Sequence, residues 1–454
     1  MRSAVLWGIL TLSITATAGA QTPLTKTPTR FTGVYEIAVE DSAGPFSIRI
    51  IEWDRRLAPE LKLIPAKGIL GHHERLAVHE ATSVMARRYT SPEVETIAAI
   101  NADFFNRRGE PTNRMMSQGH WILSHPERPA RSVVSISPDG SLWTGQVSLA
   151  TRLCSGESSD CRALVWNRAP SKGQASLLNA WFSDTLRANP QLRVYRIAAA
   201  DTIYRADSRT EVSKKTTKTS QRSKRKKASS RATSSTLPST SITRSDLGYG
   251  TTASAEVPLN PGALHQTVQL KLEALPFTEP ILTTIPANQH YLVIHDSLGT
   301  SPVDLPRSIH STWIGSPFWP VHVIGGGPQL LHRGHAVVDS MAVVEEVLPS
   351  FLITRHPRTA IGWNADQSKV WMVVVDGRQA HSVGMGLYEL TNLFVRLGAY
   401  EAVNLDGGGS STLVLDQTIL NRPSDPTGER KVGNALMFIQ HKTIQQKTTQ
   451  KKTN

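Results

Sequence analysis

From Phe31 onward the chain reads as short apolar segments separated by polar turns. Phe46–Trp53 (FSIRIIEW) alternates and is rich in β-branched side chains, which predicts a strand. Thr96–Ile100 (TIAAI) predicts a short buried strand running into the polar stretch Asn101–Asn106 (NADFFN). Arg131–Trp143 predicts a hairpin, with Asp139-Gly140 in its turn. Gln269–Leu272 and Tyr291–Ile294 are further strand candidates. Lys369–Val375 (KVWMVVV) predicts a hydrophobic strand ending at Asp376-Gly377-Arg378. Leu387, Leu390, Phe394 and Leu397 have helical spacing, and Gly398 is placed to cap that helix. Ala402–Leu405 predicts another strand, ending at Asp406 and Gly407–Gly409. Strand, helix, strand and glycine turn in succession predict an α/β fold of mixed α+β character. The expected architecture is a central mixed sheet with flanking helices, in one catalytic domain spanning 31–440.

Charge changes the picture only once it is located. The 454 residues carry a formal charge of +13. Residues 211–231 hold nine Lys or Arg against the single acid Glu211, and 441–454 hold four Lys and no acid. With Arg2 these account for the whole excess, so the body of the protein is neutral. The Ser/Thr/Lys/Arg-rich stretch 207–246 lacks apolar periodicity and predicts a disordered insert; 441–454 predicts a disordered basic tail. At the start, Arg2, the apolar Ala4–Ile14 and Ala18-Gly19-Ala20 predict a signal peptide cleaved after Ala20, followed by a flexible leader over 21–30. No apolar run reaches the roughly 18 residues of a membrane helix, so no span is expected in the mature chain. The expectation is an exported protein, periplasmic or secreted. Cys154 and Cys161 flank a turn-forming segment and predict a disulfide in that oxidising setting. Nucleic acid is excluded as a partner, because the basic run lacks interleaved aromatics and belongs to an exported chain.

Candidate chemistry gathers at strand ends. Asp103, Asp376 and Asp406 each follow a predicted strand. Converging carboxylates suit acid/base or electrostatic work on a glycosidic bond. They equally suit a hard divalent cation such as Ca or Mg. The runs Gly325–Gly327 and Gly407–Gly409 are costly to order and make sense where backbone approaches a ligand. Successive amides there can form an anion-binding concavity. Neither run is a phosphate loop with a following Gly-Lys-Ser/Thr, and Gly409-Ser410-Ser411 lacks the second glycine of a serine-hydrolase elbow. Arg358 precedes an apolar strand, and its guanidinium fork suits phosphate.

These motifs together resemble the phosphodiester glycosidase family. The matching segments are Ile100–Phe105 (INADFF), Ile324–Pro328 (IGGGP), Arg358–Gly362 (RTAIG) and Val375–Arg378 (VDGR). Leu387–Leu390 (LYEL), Asn404–Thr412 (NLDGGGSST) and Pro423–Asp425 (PSD) follow in family order. The sequence departs from the family at Ala102 and Asp103, where members often carry glycine, which ranks Asn101 above Asp103. The basic insert is also outside the family pattern. The resemblance implies cleavage between a sugar anomeric carbon and a phosphodiester, on a glycan phosphodiester of the cell envelope or its surroundings. Asp406, with Asp376 or Glu389, is the catalytic candidate. Asn101, Asp103, Gly325, Gly326, Gly327, Arg358, Thr359, Arg378, Asn404, Gly407, Gly408, Gly409, Ser410 and Ser411 are candidates for holding substrate. Two alternatives use the same residues. One is a metal-dependent phosphodiesterase. The other is a non-catalytic glycan-binding protein of the envelope, its basic insert holding an anionic polymer.

Overall fold

The structure is a computed structural model, which describes residues 23–42, 44–68, 80–107, 109–123, 131–154, 161–179, 191–206, 264–274, 290–295 and 308–442. The expected signal peptide, the insert and all but the first two residues of the basic tail lie outside the described residues. Part of the expected leader, Lys26–Pro28, is an exposed edge strand.

The core is an eight-stranded antiparallel sheet. Its order is Lys26–Pro28, Val34–Asp41, Phe46–Asp54, Lys369–Val375, Arg358–Trp363, Glu401–Asn404, Gln329–His332 and His335–Ala336. Both faces are covered, which is why Lys369–Val375 reads as an unbroken apolar run. Val370, Met372 and Val374 face a second sheet built from Thr418–Ile419, Leu413–Leu415, Val94–Asn101, Asn434–His441 and Lys62–Lys67. Trp371, Val373 and Val375 face the helical layer, where Leu387, Leu390 and Phe394 of helix Leu387–Leu397 pack. That helix ends as its sequence implies, at Gly398 with φ of 79°.

Two further β units complete the described chain. Leu142–Gly145, Val133–Ile136, His322–Gly325, Met115–Ser117 and His120–Leu123 form a five-stranded sheet. Ser148–Cys154, Cys161–Trp166, Ala175–Leu178, Tyr291–His295, Leu192–Ala206, Leu264–Ala274 and Ser308–Ile314 close a seven-stranded barrel. The Cys154–Cys161 disulfide joins its first two strands. Among the described residues no helix is long and apolar enough to cross a membrane.

The α/β expectation is therefore corrected: the fold is mostly β, and the described residues are 50% strand and 12% helix, with four α-helices among them. The misleading signal was the strand–helix–strand text over 369–404. Its two strands do run parallel, but they are not neighbours. Arg358–Trp363 lies between them, antiparallel to both. The one parallel pairing among the described strands is in the barrel, between Cys161–Trp166 and Ala175–Leu178.

Candidate active site

Two strands from different sheets end side by side. Beyond Val94–Asn101 and Glu401–Asn404, the Asp406 amide donates to the Ala102 carbonyl at 2.7 Å. Buried Asn101 fastens the junction. Its Nδ2 donates to the Asp406 carbonyl at 2.6 Å, and its Oδ1 accepts from the Thr359 hydroxyl at 2.8 Å and the Thr412 amide at 3.1 Å. Buried Asn404 does similar work, donating to the carbonyls of Gly327 (2.9 Å) and Leu405 (2.8 Å). Asn101, Thr359 and Asn404 thus position the strand ends.

A pocket of about 230 Å³ opens at this junction, lined by Phe104, Phe351, His356, Arg358, Arg378, Asp406, Gly407–Gly409 and Arg430. Asp406 is its one lining carboxylate among the described residues. Burial pushes the Asp406 carboxyl up to about 6, against the pull of the Ser410 hydroxyl, the Gly407 amide and the charges of Arg430 and Arg131. Asp103 stands nearby, fully buried and held by Asn113 through its amide (3.0 Å) and its Nδ2 (2.7 Å). Burial pushes Asp103 up to about 7, and the negative charge of Asp406 adds to the rise. Arg131, whose guanidinium lies 4.6 Å over the Phe104 ring, counters both shifts.

The third strand-end aspartate does not join this pair. Asp376 accepts from the Arg422 amide at 3.0 and 3.1 Å and from Asn421 Nδ2 at 3.0 Å, and it does not line the pocket. It anchors the 421–422 turn. Glu389 is also engaged elsewhere: it accepts the Gly386 amide at 2.9 Å, capping its own helix, and pairs with Arg355 at 2.6 Å.

Three arginines reach the pocket in different states. Arg358 is buried, and burial lowers its guanidinium to about 10. Its Nε donates to Met385 carbonyl oxygen at 2.8 Å, and its Nη2 to those of Phe351 (2.9 Å) and Thr354 (2.8 Å). Only Nη1 remains without a partner among the described residues. Arg430 is half exposed and forks onto Asp425, at 2.6 and 2.7 Å. Arg378 is exposed and meets no carboxylate among the described residues; its hydrogen-bond contacts there are with His356 Nδ1 at 3.3–3.4 Å. Its backbone has φ of 58°, a strained region for a side chain of this size, and the guanidinium passes over Gly408. His356 is held low by burial and by the charges of Arg378 and Arg358.

The glycine runs serve closeness more than anion binding. The amides of Gly326, Gly327 and Gly408 already donate to the carbonyls of Ser132 (3.0 Å), Asn404 (2.7 Å) and Pro357 (2.8 Å). The Gly409 amide has no partner among the described residues. A side chain at Gly325 would sit 2.6 Å from Asp103 Oδ2, and one at Gly409 would collide with Asp425 and Arg430. Ser410 and Ser411 are buried beneath the loop, the Ser411 carbonyl accepting from Asn421 Nδ2 at 3.0 Å.

Sequence reasoning missed Arg430, His356, Phe104, Phe351, Arg131 and Asn113. His356 adjoins a motif that was read, and Arg430 lies five residues past Asp425; Asn113 and Arg131 carry no strand-end or glycine signal. Among the described residues, no group of three or more His, Cys, Asp or Glu is placed to hold a metal ion.

Comparison with known proteins agrees with the motif reading. Residues 307–439 match the phosphodiester glycosidase family. Over 117 residues, 24% of this chain, it is 38% identical to bovine N-acetylglucosamine-1-phosphodiester alpha-N-acetylglucosaminidase. Over 85 residues, 19% of this chain, it is 40% identical to an uncharacterized SPbeta prophage-derived protein, YomE, of Bacillus subtilis. The matches span only 21% and 13% of those proteins' own lengths. A hypothetical protein from Synechocystis shares the fold, with a TM-score of 0.55 at 18% identity, over 91% of this chain and 64% of that one.

Proposed function

We propose that the chain is an exported hydrolase that breaks the bond between a sugar anomeric carbon and a phosphodiester oxygen. Its substrate is a glycan phosphodiester of the cell envelope or its surroundings. One observation carries the reading: the lining carboxylate of the pocket, Asp406, shares a small cleft with Arg358, Arg378 and Arg430. Anion recognition and a titratable carboxylate are what such a substrate needs in one place. The matched family segment supports the same reaction class.

Water attacks the anomeric carbon as its bond to the phosphate oxygen breaks. The hydroxyl joins the sugar, and the proton ends on solvent or on the departing phosphate monoester. Phosphate leaves readily, so strong general-acid help is less necessary than for an alcohol. The harder tasks are gripping the anion and stabilising positive charge at the anomeric centre. Arg378 suits the first, with Arg358 and Arg430 adding positive charge to the same lining. Ionised Asp406 suits the second, and it can also take a proton from water. Asp103, whose carboxyl is raised in part by the charge of Asp406, does not line the cleft. The Cys154–Cys161 disulfide supports an oxidising compartment.

The test is Asp406→Asn on a sugar 1-phosphodiester. Turnover should fall on the order of 10²-fold or more, with the circular dichroism spectrum unchanged. Wild-type turnover in the folded variant would remove Asp406 from the mechanism.

A further inference from the structure

A third buried carboxylate belongs to the neighbourhood of Asp103 and Asp406. Glu345 follows helix Val338–Val344 and is 2% exposed. Its Oε1 accepts from the Ser132 hydroxyl at 2.6 Å and from the Gln329 amide at 3.2 Å. Its Oε2 is buried and has no partner among the described residues. Burial pushes the Glu345 carboxyl up to about 7, as it does that of Asp103. The run Gly325–Gly327 touches both acids. A side chain at Gly325 would meet Asp103, and one at Gly327 would meet Glu345 and Arg131.

One cation is common to all three acids. The charge of Arg131 favours the ionised forms of Asp103, Asp406 and Glu345 alike. Arg131 is half-buried, with its guanidinium over the ring of Phe104, a wall of the cleft. Among the described residues it makes no hydrogen bond or ion pair, and it does not line the cleft itself. The other charged or titratable groups facing Asp406 are Asp103, Arg358, Arg378, Arg430 and His356. Arg430 is forked onto Asp425. A bound phosphate offsets the lining arginines and brings its own negative charge beside Asp406. Arg131, outside the lining, still has its charge to offer once substrate is bound.

We propose that Arg131 is a positioning residue for the reaction, a cation that supports the negative charge of Asp406 while substrate occupies the lining arginines. It acts through Asp406 and not on the phosphate. The inference rests on the sugar-phosphodiester reading of the cleft.

The experiment follows kcat and kcat/KM against pH on a sugar 1-phosphodiester for the wild type, Arg131→Gln, Arg131→Met and Arg131→Lys. Ionisation of Asp406 should set the acidic limb. Without the cation Asp406 holds its proton more tightly, so the limb should move to higher pH by about half a unit or more in the Gln and Met variants. Below both limbs that is about a three-fold or greater loss of rate. Arg131→Lys keeps the charge and should bring the limb back. The kcat limb, which reports the substrate complex, should move as well. Thermal melting reads the same cluster without turnover. The three acids are mostly protonated in the fold at about pH 5 and mostly ionised at about pH 8, so Arg131→Gln should lower the melting temperature more at the higher pH. An acidic limb that stays in place in the folded neutral variants overturns the inference, whatever happens to the plateau. A KM raised equally at every pH would place Arg131 on the phosphate, and a melting loss equal at both pH values would make it merely structural; both overturn it too. Should the neutral variants be too unstable for kinetics, the melting comparison decides. Failure of the wild-type protein to cleave the diester would instead count against the sugar-phosphodiester reading, while melting would still show whether Arg131 serves the three acids.

Discussion

At the scale of single residues, burial decides who can do chemistry and who only holds the site. Arg358 was the sequence's first choice for gripping phosphate, yet three of its donors are committed to backbone carbonyls. Arg358→Ala should therefore act first on stability. Losing charged hydrogen bonds and leaving carbonyls unpaired should cost about 3 kcal/mol, read by denaturant unfolding. Among the described residues Arg378 is held by no backbone carbonyl; its partner is His356. Arg378→Ala should lower kcat/KM on a sugar phosphodiester by about ten- to a hundred-fold while sparing a neutral aryl glycoside of the same sugar. Equal losses on both substrates would mean that Arg378 does not read the phosphate. Asp103 gives a pH signature. Its carboxyl moves from an ordinary 3.8 to about 7 on folding, so the folded state binds the extra proton between those values. Its contribution to stability is whole below about pH 4 and is lost as pH rises through 7. Asp103→Asn should make the fall of melting temperature from pH 4 to 8 shallower. Residue identities at the strand ends were legible in the sequence, because glycine runs and isolated acids after apolar strands are unusual. Their partners were not: Asn113, Arg131 and Arg430 reach the junction by tertiary packing, which leaves no local pattern.

At the scale of elements, close contact between loops and strands explains the glycines better than anion binding does. Gly325 ends strand His322–Gly325 directly against Asp103 and Asn113. Gly325→Ala should cost about 1–3 kcal/mol through overpacking and should disturb the Asp103–Asn113 hydrogen bonds. A melting temperature equal to wild type would show that the neighbours yield freely. The strands themselves were readable from apolar runs and β-branched residues, and so was the helix Leu387–Leu397 with its glycine cap. What could not be read was adjacency. A run buried on both faces looks alike in parallel and antiparallel sheets, so KVWMVVV followed by a helix suggested α/β order. Pairing with the distant strand Arg358–Trp363 decided otherwise. The barrel was equally hidden, because its seven strands are spread from Ser148 to Ile314.

At the scale of the whole molecule, the site stands where two sheets meet, and the barrel closes on itself while packing on the five-stranded sheet through Leu149 and Trp313. The disulfide belongs to the barrel. Its loss through Cys154→Ser with Cys161→Ser should lower stability by about 2–3 kcal/mol, the chain-entropy value for so short a loop, without changing kcat/KM on a small diester. A matching fall in kcat/KM would couple the barrel to catalysis. The central claim concerns which bond breaks. It is tested most directly by letting the intact chain turn over a sugar 1-phosphodiester in water enriched in oxygen-18 and analysing the products by mass spectrometry at first turnover. Attack at the anomeric carbon places the label in the sugar hydroxyl and leaves the phosphate monoester unlabelled, which is the result expected here. Label in the phosphate would mean attack at phosphorus, and the protein would then be a phosphodiesterase acting through a different use of the same cleft.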